Sequence, residues 1–333
     1  MQKVTIKDVA KLAKVSPSTV SRVLSGNPSI SDDTCKRVKN AVKELHYTPN
    51  TTARSLRCEK SKSIGVVFPD ISGEFYATCA SAILKYARMS DYTVLFTESG
   101  HNLKAEKDSI KALLERRIDG IIFIGDNSDI PLIQSIAAQS IPIVTGDRKV
   151  GNIPSVTFNN RETVQEMVDS LINRVAENLC MLVKLRPVKA IILNRYSGYT
   201  DALKKYSDTT SVIFLEKSLH GDKLKTARRL FTEKIITSLP DVIITSNDLI
   251  AQGIISAAHE NGINIPNDMQ ITGFDDSLSS AYFIPSVTTV SQNIDELAKR
   301  CFSMLMDLIN KKSAVSSIIE QNIIARNSAK VNT

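Results

Sequence analysis

From Ser63 onward, short apolar runs alternate with segments of helical periodicity. The first four runs are SIGVVF, YTVLF, DGIIFIG and IPIVTG, and four later ones are NLCMLV, SVIFL, DVIIT and MQITGF. Runs of this kind are typical of strands that are buried on both faces of a parallel sheet, with the intervening helices covering it. The sequence therefore predicts an α/β body, and 333 residues are enough for two or three domains.

The residues before this body have helical periodicity only. Thr5 and Asp8 form a pattern close to a capping box, and apolar residues then recur at helical spacing: Ile6, Val9, Ala10 and Ala13. Ser16 can cap a second helix with Pro17 at its first position, and Ser31 can cap a third helix. Two short helices joined by a tight turn and braced by a third predict a helix-turn-helix unit.

The positive charge of the chain is concentrated in this N-terminal segment. The whole chain carries a net charge of +7. Residues 1–62 contain 13 Lys and Arg against 5 Asp and Glu, whereas the remaining residues contain 29 against 30. A solvated basic tail is the alternative, but tails lack regular apolar spacing. A basic folded unit on a near-neutral body is the pattern of a protein that binds a polyanion such as DNA.

The second predicted helix has the residue types that suit a DNA groove. In a helix-turn-helix this helix enters the major groove with its N-terminal residues leading. Short hydroxyls can bond phosphate oxygens without holding the helix away from the duplex, and an arginine can read guanine O6 and N7. A capped structural helix is the alternative interpretation. The residues expected at DNA in this unit are Thr5, Ser16, Pro17, Ser18, Thr19, Ser21 and Arg22.

Polar residues follow several strands of the predicted body. Ligands of parallel sheets bind at the carboxyl ends of the strands. The residues at these ends are Asp70, Asp147, Arg148, Asn247, Asp248, Asp275 and Asp276, and Phe75 and Tyr76 supply aromatic rings. Carboxylates and an arginine suit the hydroxyls of a sugar, and the rings suit its apolar face. Helix capping by Asn247, Asp248 and Asp275 is the alternative.

The N-terminal segment closely resembles the DNA-binding headpiece of the LacI/GalR family of bacterial repressors. The resemblance is carried by VTIKDVAKLAKVSPSTVSRVLSGN and by ISDDTCKRVKNAVKELHYTPNTTARSLR, and it covers about the first 57 residues. It implies that the next segment is a hinge that folds into a helix only on operator DNA. Leu56 would then be an apolar wedge in the minor groove, lined by Asn50, Ala53 and Arg54.

The body resembles the same family through ordered landmarks. These are PDIS followed by FY, GDR, R..GY, SND, GFDD and PSVTTVSQ. The resemblance implies a body similar to periplasmic sugar-binding proteins, with two doubly wound α/β subdomains and the effector between them. It also implies that Arg195, Asn247 and Asp275 contact sugar hydroxyls, with Asp147, Phe75 and Gln292 near the cleft. The family's Asn-Pro before the aromatic pair is Gly73-Glu74 here.

The resemblance also implies a division of the chain and a function. We expect a helix-turn-helix headpiece at 1–47, a hinge at 48–60 and an effector-binding and dimerisation body at 61–330. The N-subdomain would comprise about 61–160 and 290–319, and the C-subdomain about 161–289 and 320–330. The expected protein is a homodimeric repressor of a sugar-utilisation operon, released from a pseudo-palindromic operator by a small sugar, with ribose as the first candidate. The alternative is a catabolite-type regulator that is co-repressed by a phosphorylated partner protein.

Catalytic, cofactor and membrane patterns are missing from the sequence. GxGxxG and GxxxxGK[ST] do not occur, the four His have no Ser or Cys partner beside them, and the five Cys show no CxxC spacing. We therefore expect reduced thiols, no catalytic residues, no metal and no cofactor. No apolar run reaches membrane-spanning length and no signal-peptide core is present, which predicts a cytoplasmic protein. An enzyme of sugar metabolism and a structural DNA-coating protein are the rival classes.

Overall fold

The chain forms two compact units, residues 1–61 and residues 62–333. The structure is a computed structural model, and it describes residues 4–24, 29–47, 60–100, 103–124, 130–172, 178–184, 190–206, 210–216 and 222–331. Among these residues, no helix is both long enough and apolar enough to span a membrane.

The described residues of the first unit form three helices: α1 (Ile6–Ala13), α2 (Pro17–Leu24) and α3 (Asp32–Glu44). Lys14 has a φ of 52°, and this left-handed residue ends α1 and redirects the chain toward α2. The predicted apolar positions of the three helices form one core: Val9, Ala10, Ala13, Val20, Val23, Val38 and Ala41. The predicted helix-turn-helix with its bracing helix is confirmed.

The strands of the second unit are mostly short and buried, as the apolar runs predicted. The described residues form twelve strands: β1 (Ser63–Phe68), β2 (Thr93–Glu98), β3 (Gly120–Phe123), β4 (Ile143–Gly146), β5 (Ser155–Phe158), β6 (Asn178–Lys184), β7 (Thr210–Glu216), β8 (Val242–Thr245), β9 (Gln270–Thr272), β10 (Thr289–Ser291), β11 (Ser317–Ile319) and β12 (Asn322–Ile324).

Helices separate most of these strands. The described residues of the second unit form nine helices: α4 (Glu74–Met89), α5 (Leu103–Glu115), α6 (Ile130–Ala138), α7 (Asn160–Ile172), α8 (Ala190–Leu203), α9 (Lys223–Leu230), α10 (Asp248–Glu260), α11 (Leu278–Tyr282) and α12 (Ile294–Ile309). A π-helical turn, Phe231–Ile235, continues α9.

Two parallel sheets organise the second unit into two subdomains. The first has the strand order β11-β5-β4-β3-β1-β2, and the second has the order β7-β6-β8-β9. Parallel pairing sets Ile64 of β1 opposite Val94 of β2 and Gly120 of β3. Helices α4 and α12 pack on the first sheet through buried residues such as Ile83, Leu297 and Leu305. The predicted doubly wound α/β architecture is confirmed.

The chain passes between the two subdomains more than once. Strand β10 pairs antiparallel with β12, whereas β11, which lies between them in the sequence, pairs with β5 of the first sheet. The N-subdomain therefore contains elements from both halves of the second unit. The subdomain limits that the family resemblance implies stay a prediction, because the bounds of the strands and helices do not define the residue at which one subdomain ends and the other begins.

Candidate DNA-binding surface and effector cleft

The first turn of α2 exposes small polar side chains. Ser16, Pro17 and Ser18 are exposed, and Thr19 is half-buried. The backbone N–H of Thr19 donates to Ser16 Oγ at 3.1 Å, which makes Ser16 the N-cap of α2. The Ser16 hydroxyl also lies 2.7 Å from the Ser18 hydroxyl and 2.8 Å from the Thr19 hydroxyl. The leading end of α2 is therefore compact enough to approach a phosphate backbone closely.

One long cation and one further cap complete this surface. Arg22 is exposed in the last turn of α2, and Ser21 beside it is half-buried. At the start of α1, the Thr5 backbone N–H and hydroxyl donate to Asp8 Oδ2 at 2.8 and 2.7 Å. The other residues predicted at DNA lie outside the described residues, and their roles stay predictions: Asn50, Ala53, Arg54 and Leu56.

In the second unit, a cavity of about 530 Å³ lies where the strands predicted to carry ligand-binding residues end. Eight of the nine residues predicted to bind an effector line it: Asp70, Phe75, Tyr76, Asp147, Arg195, Asn247, Asp275 and Gln292. Arg148 follows Asp147 directly but is not among the lining residues, so its role stays a prediction. We call this cavity the effector cleft.

Arg195 is held rigidly at the wall of the cleft. Its Nε donates to Asn160 Oδ1 at 3.1 Å, and its Nη1 donates to the Ser246 carbonyl at 2.7 Å. The guanidinium carbon lies 3.5 Å from the ring centroid of Phe274, and Nη2 lies 3.9 Å from Asp275 Oδ1. With two of its N–H donors engaged and its plane packed on Phe274, Arg195 presents a fixed positive edge to the cleft.

Asp275 is the carboxylate most perturbed by this environment. Burial raises the pKa of Asp275 to about 7, and Arg195 nearby opposes that rise. Gln292 Nε2 donates a short hydrogen bond to Asp275 Oδ1. The backbone of Asp275 has a φ of 115°, a region that costs a non-glycine residue conformational energy. Asp147, across the cleft, also has a positive φ, of 64°. Both aspartates therefore occupy strained positions at strand ends.

The capping alternative holds for Asn247 and fails for Asp248 and Asp275. Asn247 Oδ1 accepts from the Ile250 N–H at 3.0 Å, so Asn247 caps α10 while it lines the cleft. Asp248 is almost fully buried and accepts from the Thr289 hydroxyl at 2.6 Å, the Ser277 N–H at 2.7 Å and the Ser280 hydroxyl at 2.8 Å. A Cβ at Gly273 would approach Asp248 Oδ1 to 2.0 Å, so only glycine fits beside it. Asp275 caps no helix.

The sequence-based interpretation missed one side chain that crosses the cleft. Glu74, the first residue of α4, accepts hydrogen bonds from the Leu278 N–H and from the Ser279 hydroxyl, the latter at 3.0 Å. Leu278 and Ser279 belong to α11 in the other subdomain. The available signal was the departure from the family pattern at Gly73-Glu74. Lys223, which also lines the cleft, was missed as well.

Groups of three or more potential metal-ligating side chains are not found among the described residues. The cleft instead combines carboxylates, two amides, one fixed guanidinium and the rings of Phe75 and Tyr76, which stand edge to face with centroids 5.2 Å apart. Such a lining offers several hydrogen-bond acceptors and an aromatic surface, which is suited to a molecule rich in hydroxyl groups. A helix-turn-helix unit joined to a body with this cleft defines a DNA-binding regulator.

Comparison with known proteins agrees with that class. Residues 5–50 match the family of bacterial regulatory proteins named after LacI, and residues 168–329 match the periplasmic binding protein-like domain. The ribose operon repressor of Halalkalibacterium halodurans is 33% identical over 92% of this chain and 91% of its own. Catabolite control protein A of Priestia megaterium is 31% identical over 95% of this chain and 96% of its own. The chain belongs to the LacI family of transcriptional regulators.

A solved structure shares the fold over nearly the whole chain. The Lac repressor dimer bound to operator and the anti-inducer ONPF superposes with a TM-score of 0.84 and 24% identity. The match covers 98% of this chain and 99% of that one.

Proposed function

We propose that the chain represses a sugar-utilisation operon by binding a pseudo-palindromic operator, and that a small sugar in the effector cleft releases it. The observation that carries the proposal is the presence, in one chain, of an exposed helix-turn-helix edge and a cleft lined by carboxylates, amides and aromatic rings between two subdomains. A ligand that alters the angle between subdomains changes what is linked to them. Ribose is the first candidate, supported by the similarity to a ribose operon repressor.

The proposed active form is a homodimer in the cytoplasm. Four large apolar side chains near α10 and α11 are well exposed: Leu249, Leu278, Tyr282 and Ile284, at 41, 70, 81 and 90%. A patch of this kind on a globular protein marks an interaction surface. A second copy of the chain seated there would present two headpieces to two half-sites. The Lac repressor, which has a similar fold, is a dimer in its operator-bound structure. We propose no catalytic role for any residue.

Operator binding with and without sugar tests the proposal. Selection from a random duplex library should yield a two-half-site sequence, and fluorescence anisotropy should give a Kd for it about 10³-fold or more below that for random duplex. Ribose and other free sugars should raise that Kd. By reciprocity, operator must weaken sugar binding by the same factor. Equal affinity for random and selected duplex across a range of salt concentrations would overturn the proposal.

A second candidate function has its own support. The similarity to catabolite control protein A favours a regulator that binds DNA more tightly with a phosphorylated partner protein. In the same anisotropy assay, that mode predicts a lower Kd when the partner is added and no response to free sugar. The two functions therefore predict opposite changes of the operator Kd, and one titration separates them.

A further inference from the structure

One carboxylate of the effector cleft spans the gap between the two subdomains. Glu74 is the first residue of α4, which packs on the first sheet through buried residues such as Cys79 and Ile83. Its Oε1 accepts a short hydrogen bond from the backbone N–H of Leu278, and its Oε2 accepts from the Ser279 hydroxyl at 3.0 Å. Both oxygens of a carboxylate from the first subdomain therefore bind α11 of the second.

The α11 end of this contact is held firmly in the second subdomain. The Ser277 N–H and the Ser280 hydroxyl donate to the buried Asp248 at 2.7 and 2.8 Å. Gln252 of α10 donates from its Nε2 to the Ser279 hydroxyl oxygen at 2.9 Å. The two donors of the contact therefore move with α10 and α11 as one block.

The contact bears on the opening of the cleft. The two subdomains are joined covalently where β5 leads into α7, where β10 leads into α12 and where β11 leads into β12. Rotation about such connections is a common way in which two subdomains open and close around a site. Because Glu74, Leu278 and Ser279 all line the cleft, a rotation that widens it must separate the carboxylate from its two donors.

The contact is charge-assisted and consists of protein groups only. Hydrogen bonds to an ionised carboxylate are stronger than those between neutral groups. Since both donors and the acceptor belong to the chain, the contact does not need a ligand in order to form. The proline that the family pattern has at position 74 lacks a side-chain acceptor and could not form it.

We propose that Glu74 is a latch that shifts the cleft toward its closed form before an effector enters. The inference adds a regulatory step to the proposed function, on which the role of the latch in effector entry rests. An effector can enter only while the latch is open, and the latch helps to retain the effector once the cleft has closed.

Single-molecule FRET on the full chain tests the latch without a ligand. Dyes are attached at Lys111 in α5 and at Lys234 in the π-helical turn after α9, which are exposed positions on the first and the second subdomain. The labelled chain is diluted with an excess of unlabelled chain, so that each dimer carries one pair of dyes. Glu74→Ala should raise the ratio of open to closed molecules about tenfold, as expected for the loss of charge-assisted hydrogen bonds. An unchanged ratio would overturn the inference and leave the proposed function standing.

A matched control separates the latch from the loss of any carboxylate near the cleft. Glu98 accepts from the Ile71 N–H at 3.2 Å, and this contact stays within the first subdomain. Glu98→Ala should leave the ratio of open to closed molecules unchanged. A shift as large as that of Glu74→Ala would count against the latch.

A second variant breaks the latch from the opposite wall. Ser279→Ala removes one of the two donors and should shift the ratio in the same direction by less, about threefold. In the Glu74→Ala background the same substitution should add nothing, because the acceptor is already gone. A further shift in that background would show that Ser279 acts through Gln252 instead, and the inference would fall.

Discussion

At the residue scale, the cleft shows how one side chain can serve structure and site together. Asn247 caps α10 and lines the cleft, and Arg195 braces the Ser246 carbonyl while it faces Asp275. Replacing such a residue changes folding and binding at once. The informative substitutions are therefore those whose two effects separate, either with pH or with the identity of the ligand.

For Asp275, the effect of a substitution on stability can be recognised by its dependence on pH. The pKa of its carboxyl is about 7 in the folded chain and about 3.9 in an unfolded one. The folded state therefore holds more protons between these values, so the free energy of unfolding falls as the pH rises from 4 to 7. Asp275→Asn cannot ionise and avoids this fall. Its thermal midpoint should exceed that of the effector-free wild type at pH 8, with the gap narrowing at pH 5.

The same variant should respond poorly to sugar. Operator affinity should stay close to that of the wild type, whereas release by the effector should weaken, since a hydroxyl acceptor is lost. A midpoint difference that is constant from pH 5 to pH 8 would show that Asp275 does not titrate as its burial requires. A normal sugar response would remove Asp275 from the cleft residues that bind the ligand.

For Arg22, base readout and phosphate contact can be distinguished by how the loss of affinity depends on the DNA sequence. Its exposed guanidinium is the long donor on the edge of α2. Arg22→Ala should cost about 1–3 kcal/mol of operator binding and relax base preference at one position of each half-site. The measurement is anisotropy against operators changed one base pair at a time. Lys36→Ala, on the exposed face of α3, serves as a comparison. A loss of affinity that is uniform across all operator sequences for Arg22→Ala would assign Arg22 to a phosphate contact instead of a base contact.

At the element scale, Asp248 joins α10, α11 and β10 into one block. Its two oxygens accept from Thr289, Ser277 and Ser280, and Gly273 leaves the space for them. This block forms one wall of the cleft. The cleft's geometry therefore depends on a buried network as much as on the residues that face the ligand.

Asp248→Ala should destabilise the second unit by about 3 kcal/mol or more, because buried donors lose their acceptor. Asp222→Ala is the matched control, since it removes one exposed cap from α9 and should cost about 1 kcal/mol. Hydrogen exchange measured by mass spectrometry should show lost protection across 277–289 in Asp248→Ala only. Equal costs for both variants would mean that the network adds nothing beyond capping.

Strands were predictable where an apolar run stands between segments of helical periodicity, and helices where a cap signal precedes the periodic residues. These patterns predicted β1 to β4, β6 to β9 and α1 to α3, although β9 has only three residues. Strands β5, β10, β11 and β12, with three or four residues each, were not predicted from their pattern. Among the cleft residues, Asp70, Asp147, Asn247 and Asp275 were predictable because strand ends converge, whereas Arg195 and Gln292 followed only from the family resemblance. Glu74 was not assigned a contact, because its partners are about two hundred positions away in the sequence and only the fold brings them together.

At the scale of the whole molecule, the headpiece and the body are separate compact units whose cooperation requires a dimer in the proposed function. Two half-sites multiply the affinity of each headpiece only if the bodies hold both together. The exposed apolar patch near α10 and α11 is therefore expected to govern DNA binding without touching DNA.

Tyr282→Asp should break the dimer, because it places a charge in an apolar contact. Sedimentation velocity should show a shift from dimer to monomer at micromolar concentration, and operator Kd should rise by about 10²-fold as the second headpiece is lost. Val315→Asp, at a residue that is 79% exposed outside this patch, is the control and should stay dimeric. A dimeric Tyr282→Asp protein would move the interface elsewhere.

The path of the chain through the two sheets has a consequence for biosynthesis. Strand β11, at residues 317–319, completes the sheet that β1 begins at residue 63, and Leu297, Cys301 and Leu305 of α12 close its core. The strands of the first sheet that are synthesised early therefore keep an uncovered apolar face until α12 and β11 have been synthesised. Until then a nascent chain exposes that face and the unpaired edge of β5, so we expect it to bind chaperones during translation.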